Sequence, residues 1–132
     1  VRRVLITGSR QWVDGQAIMT DLDGEYDVAG GPSGPGFVVV HGGAVGADRL
    51  AGIWVKYRRD AGFLNVYEEI YLPDWEGQGR KAGILRNLAM IRDSADVCLA
   101  YIYDGSRGAT HCATAAHAAG IETRITRFDS AS

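Results

Sequence analysis

Three stretches of this sequence concentrate residue types that hold phosphate groups. They are Gly8-Ser9-Arg10-Gln11-Trp12, Gly42-Gly43-Ala44-Val45-Gly46-Ala47-Asp48 and Asp104-Gly105-Ser106-Arg107-Gly108-Ala109-Thr110-His111. Glycine lets a backbone turn sharply and approach a ligand with no Cβ in the way. A helix that starts just after such a loop offers free N–H groups and a partial positive charge to an anion. Ser9, Ser106 and Thr110 add hydroxyl donors, and Arg10 and Arg107 can grip phosphate oxygens with two parallel N–H bonds. The chemistry implied is binding of a phosphate-bearing small molecule, a nucleotide or nucleotide derivative. The loop after the first apolar run reads Gly-Ser-Arg rather than Gly-x-Gly-x-x-Gly, and no Gly-Lys-Ser/Thr loop occurs, so neither the dinucleotide fingerprint nor the Walker loop is present.

The elements around these loops follow from hydrophobic periodicity. Apolar β-rich runs at residues 3–7, 37–41, 66–72, 96–102 and 122–128 read as five strands. Between them lie helical patterns: one capped by Asp14 and carrying Ile18 and Leu22, one over 47–59, one over 80–92, and an alanine-rich one over 109–119. Strict β–α alternation implies parallel strands with right-handed crossovers, and the near-continuous apolar runs imply strands covered on both faces. The expected fold is a single α/β domain over residues 1–132, a doubly wound, Rossmann-like sheet of order 3-2-1-4-5. Its order reverses between the first and fourth strands, which puts the three loops at the crevice where such sheets bind ligands. The Gly/Pro-rich stretch at 29–36 reads as a flexible loop.

Other residues admit two readings each. Asp48 either caps the second helix or meets a ribose hydroxyl or acts as a base. Trp12 and Trp75 either stack on a base or belong to the core. His111, early in the fourth helix, is either a neutral base or hydrogen-bond donor, or a polar surface residue. His41 either serves the glycine loop or is a satisfied core residue, and His117 reads as structural. Asp74 and Glu76 read as solvated charges rather than a catalytic carboxylate pair. Cys112 reads as a small buried hydrophobe.

Composition limits the remaining classes. With 14 Lys and Arg against 16 Asp and Glu, the chain lacks the basic footprint of a non-specific nucleic-acid binder, so nucleic acid is not an expected partner. Two cysteines with no metal spacing fit a reducing cytoplasm. No apolar run is long enough to span a membrane, and the first strand begins at once, leaving no room for a signal peptide. No metal site is expected.

Five segments carry a family resemblance: Val4-Leu5-Ile6-Thr7-Gly8-Ser9-Arg10, the 42–48 loop, Pro73-Asp74-Trp75, the 83–90 segment from Gly83 to Met90, and Gly105 to His111. In that order they resemble the SLOG superfamily, in particular its YspA/YpsA-related branch of bacteria and their phages. The resemblance implies a Rossmann-like fold and a nucleotide or NAD- or ADP-ribose-like ligand. The superfamily includes the LOG phosphoribohydrolases, with an Arg-Lys-x-x-Met helix and a Pro-Gly-Gly-x-Gly-Thr-x-x-Glu loop. Arg86 and Met90 match the first, with Asn87 in place of its lysine. Gly105 and Gly108 match the second, while Asp104, Ser106 and Ala109 depart from it and Cys112 stands where the glutamate would be.

The resemblance and the loops together give the expected ligand contacts: Gly8, Ser9, Arg10, Trp12, Gly42, Gly43, Gly46, Asp48, Trp75, Arg86, Asn87, Gly105, Ser106, Arg107, Gly108 and Thr110. Arg86, otherwise a solvated helix arginine, and His111 are the candidates for catalysis. The expected function is nucleotide binding as a sensor, carrier or sequestering protein in the cytoplasm, that of the host if the chain is phage-encoded, and as a homodimer or higher homo-oligomer. The alternatives are an N-glycosidase acting on a nucleoside monophosphate or NAD derivative, and single-stranded DNA binding as in the relatives of DNA-processing protein A.

Overall fold

The computed structural model describes residues 1–130. Five parallel strands, β1 (Arg2–Gly8), β2 (Phe37–His41), β3 (Val66–Ile70), β4 (Val97–Tyr103) and β5 (Glu122–Phe128), form one sheet in the order β3-β2-β1-β4-β5. This is the order expected from the alternation of apolar runs and helical patterns. The helices are α1 (Gly15–Val28), α2 (Ala47–Asp60), a single turn α3 (Trp75–Gln78), α4 (Ala82–Arg92) and α5 (Arg107–Ala118).

The central strand shows why the sequence dictates this sandwich. Val4 and Ile6 point to one face and Leu5 to the other, and all three are fully buried. Side chains alternate across a strand, so an uninterrupted apolar run needs cover on both sides. On the first face Val4 and Ile6 pack with Ile18 and Leu22 of α1 and Ala51 and Trp54 of α2. On the second, Leu5 packs with Met90 of α4 and Cys112 and Ala116 of α5. The edge strands are wetter, and β5 presents Glu122, Arg124 and Arg127 to solvent, charges that discourage pairing with another chain.

Some boundaries move. The helix expected over 80–92 starts at Ala82, because Asp74 nucleates a separate turn by accepting the Gly77 N–H at 2.9 Å, followed by a 3-10 turn over Gly79–Lys81. The last helix begins at Arg107, two residues before the alanine run. The 29–36 stretch contains a 3-10 turn over Gly31–Ser33. Asn65 anchors it by donating to the Gly31 carbonyl at 2.9 Å, and is itself held by the Tyr26 hydroxyl at 2.6 Å.

Candidate functional site

A cleft of about 620 Å3 opens at the carboxyl ends of the central strands. Thr7 and Gly8 end β1 at its floor. The loop after β2 supplies Gly42, Gly43, Ala44, Val45 and Asp48, and the loop after β4 supplies Ser106, Gly108 and Ala109. Leu72, Pro73 and Trp75 come from the segment after β3, and Arg86, Asn87 and Met90 from α4. The cleft is therefore at the topological switch point, flanked by the starts of α2 and α5.

Those two helices share a property that α1 and α3 lack. Asp14 caps α1 and Asp74 caps α3 with side-chain carboxylates. Gly46 before α2 and Ser106 before α5 make no side-chain capping bond. The first N–H groups of a helix have no partner within it, so both N-termini facing the cleft keep donors and positive dipole ends.

The loop after β2 is held from three directions. Asp48 Oδ2 accepts the N–H groups of Gly42 at 3.1 Å and Ala44 at 3.2 Å. His41 Nδ1 accepts the Gly43 N–H at 2.9 Å, and its Nε2 lies 2.6 Å from Glu68 Oε2. An accepting Nδ1 fixes the imidazole as the tautomer that donates from Nε2 to Glu68. Arg86 Nη1 donates to the Gly42 carbonyl at 2.7 Å, and its Nε to Asn87 Oδ1 at 2.9 Å. Three consecutive backbone N–H groups are thus consumed by the protein's own side chains. The loop's N–H groups therefore turn inward, and the donors left at the cleft are the helix N-termini and the side chains of Arg10, Arg86, Asn87 and Ser106. Among the described residues, Arg86 Nη2 makes no hydrogen bond.

Glycine is required here at two points. A Cβ on Gly42 would sit 2.5 Å from Arg86 Cζ and 2.9 Å from its Nε, so the guanidinium lies flat where a side chain would be. Gly46 has φ of 89°, and its Cβ would fall 2.8 Å from the Arg10 carbonyl oxygen.

Asp48 is not the cap of α2. It is the second residue of that helix, 6% exposed, and its bonds go back to the preceding loop. Its other oxygen, Oδ1, is buried without a partner. Burial pushes its carboxyl above the ordinary carboxylate range, against the opposing pull of His41, Arg86 and the two N–H bonds.

Of the sequence-derived candidates, the cleft brings together Gly8, Arg10, Gly42, Gly43, Asp48 and Trp75 with Arg86, Asn87, Ser106 and Gly108. Ser9, Trp12, Gly46, Gly105, Arg107, Thr110 and His111 are not among its lining residues. Ser9 is 1% exposed, and its Oγ accepts the Tyr103 N–H at 2.8 Å, tying the first loop to β4. Trp12 is 5% exposed, packs against Tyr101 with ring centroids 5.4 Å apart, and donates to the Asp14 carbonyl, so it is a core residue. His111 Nδ1 and Thr110 Oγ1 are buried without partners. With 100° per residue, His111 is rotated about 200° from Ala109, away from the stripe formed by Ala109, Cys112 and Ala116. Cys112 itself is fully buried beneath the cleft, its thiol pushed up to about 11 by burial. The Glu68–His41 pair is the feature that sequence reading missed; a lone carboxylate pair in the third strand and a histidine directly before Gly-Gly were its only signals.

A model of the family described as YAcAr, the YspA, cpYpsA-related SLOG family, matches residues 2–77. The chain belongs to this family. The match spans the Gly42–Asp48 loop and Trp75 of this SLOG protein and ends before Arg86 and α5. The chain is also 49% identical over 121 residues, 92% of its own length and 93% of the other's, to Gene 61 protein of Mycobacterium phage D29. No solved structure matches it.

Proposed function

We propose that the cleft binds a nucleotide or nucleotide-derived ligand of the AMP, NAD or ADP-ribose kind, in the role of a sensor, carrier or sequestering protein. The observation that carries this reading is the convergence of Arg86, with Nη2 uncommitted, and the uncapped N-termini of α2 and α5 on one cleft. Such donors suit a phosphate group. One stretch of the rim is apolar: Leu72 and Trp75 are 73% and 60% exposed beside Pro73. An exposed indole at a cleft mouth suits a flat base. A ligand charged at one end and flat at the other has the outline of a nucleotide. Membership of the SLOG family agrees with a nucleotide-related role, and the phage relative agrees with action in a host cytoplasm.

Calorimetry and thermal melting against AMP, NAD, ADP-ribose and inorganic phosphate test this. Ligand at 100 times its dissociation constant adds about 2.7 kcal/mol of stability. R86A is expected to lose that gain. Absence of binding by every nucleotide would overturn the reading.

Asp48 favours one alternative, hydrolysis of an N-glycosidic bond, because it places a carboxylate in the cleft. The position of the LOG glutamate contributes nothing of the kind, since Cys112 is sealed in the core. His111 is likewise away from the cleft lining. Release of free base from AMP or NAD, followed by chromatography and abolished in D48N, would support hydrolysis; an intact substrate pool would exclude it.

A further inference from the structure

Asp48 carries an unsatisfied demand that the fold does not meet. Its side chain lines the cleft yet is 94% buried, by its 6% exposure. Oδ2 is fixed by the N–H groups of Gly42 and Ala44, so the carboxyl cannot rotate to use both oxygens. Oδ1 has no donor. Native proteins pair nearly all buried polar atoms, and an orphan at a cleft points to a partner supplied from outside. A phosphate is the wrong partner, because it brings only acceptors and negative charge. A hydroxyl is the right one, since it donates.

The position narrows the hydroxyl further. A single residue, Gly42, separates Asp48 from Arg86: Asp48 holds its N–H at 3.1 Å and Arg86 its carbonyl at 2.7 Å. In a nucleotide the sugar follows the phosphate directly. A phosphate on Arg86 therefore brings sugar hydroxyls to the neighbourhood of Asp48, with the base beyond toward Trp75. We propose that Asp48 Oδ1 accepts a sugar hydroxyl, so that the cleft selects ribonucleotides over their deoxy counterparts and over phosphate alone. This rests on the nucleotide reading above.

The test uses the full chain and titration calorimetry. Whichever of AMP, NAD and ADP-ribose binds is compared with its 2′,3′-dideoxy analogue and with inorganic phosphate. A lost hydrogen bond to a charged acceptor weakens binding by about tenfold or more, so the dideoxy analogue is expected to bind at least that much more weakly to the wild type. In D48N the charged acceptor is gone, and the ratio between the two ligands is expected to shrink. If no nucleotide binds, the nucleotide reading itself falls. If a nucleotide binds and its dideoxy analogue binds equally well to the wild type, this inference alone falls. The wild-type ratio decides the matter even if D48N fails to fold.

Discussion

Replacing Gly42 by alanine removes the grip of Arg86 without touching its charge. The alanine Cβ would occupy the space of the guanidinium, 2.5 Å from Cζ. The obstructing group is the far end of a flexible side chain, so the backbone can stay and Arg86 must leave. Its departure forfeits the 2.7 Å bond to the Gly42 carbonyl. A hydrogen bond to a charged group contributes about 1.5–3 kcal/mol. Loss of one such bond is offset by about 0.4–1 kcal/mol from the stiffer unfolded chain. The net loss is about 1–2 kcal/mol, or a fall in Tm of about 4–8 °C for a domain of this size. Ligand affinity is expected to fall as far as in R86A, and the double variant R86A/G42A is expected to bind like either single variant, since both remove the same contact. Calorimetry of the four proteins completes the cycle. G42A binding as tightly as the wild type, or losses that add in the double variant, would refute the assignment of Arg86 to the ligand.

Three further outcomes follow from other groups. D48N is expected to raise stability at pH 7 by about 1 kcal/mol, since an amide is cheaper to bury than a half-satisfied carboxylate. Burial holds the folded Asp48 carboxyl above its ordinary 3.8, so this gain develops as pH rises from 3.8 and vanishes below it; an unchanged or lower Tm at pH 7 contradicts it. E25A is expected to cost about 3 kcal/mol in urea melts, because Glu25, with a side chain 4% exposed, joins Arg2 of β1 to Arg124 of β5 at 2.7 Å each. Burial alone would raise the Glu25 carboxyl, but its two arginine partners hold it below the ordinary 4.5, so wild-type stability is expected to drop as pH falls from 4.5 while E25A loses less. Cys98 and Cys112, fully buried with thiols pushed up to about 12 and about 11, are expected to resist alkylation at pH 8 until the chain unfolds; labelling at the rate of a free thiol would refute their burial.

Much of the fold was legible because its signals are local and redundant. Val4 to Ile6, Phe37 to Val40 and Val97 to Ala100 are apolar without alternation, and each is followed by a helical stripe, which leaves little besides a covered parallel sheet. The crevice was legible for the same reason, since strand order fixes which loops meet. What each loop residue does there was not. Gly42 and Gly43 read as ligand contacts because spacing shows where a bare backbone lies, not which side chains already hold its N–H groups. Asp48 and His41 claim those donors, and His41 is oriented for it by a tertiary contact with Glu68 that no local pattern encodes. Ser9 and Trp12 were drawn to the core by Tyr103 and Tyr101 of β4, three strands later in the sequence. Asp48 read as a cap because its place near a helix start is the commoner duty of an aspartate; the loop's own tight turn brought Gly42 and Ala44 to it instead.

The two walls of the cleft come from opposite halves of the chain. Gly42 to Asp48 lie on the β2 side of the central strand, while Arg86, Ser106 and Gly108 belong to segments that flank β4. Anything held by both walls works as a tie across the seam where β1 meets β4. Its grip would be felt as resistance to prying these two strands apart, so a ligand bound by both walls would stiffen the spine of the sheet.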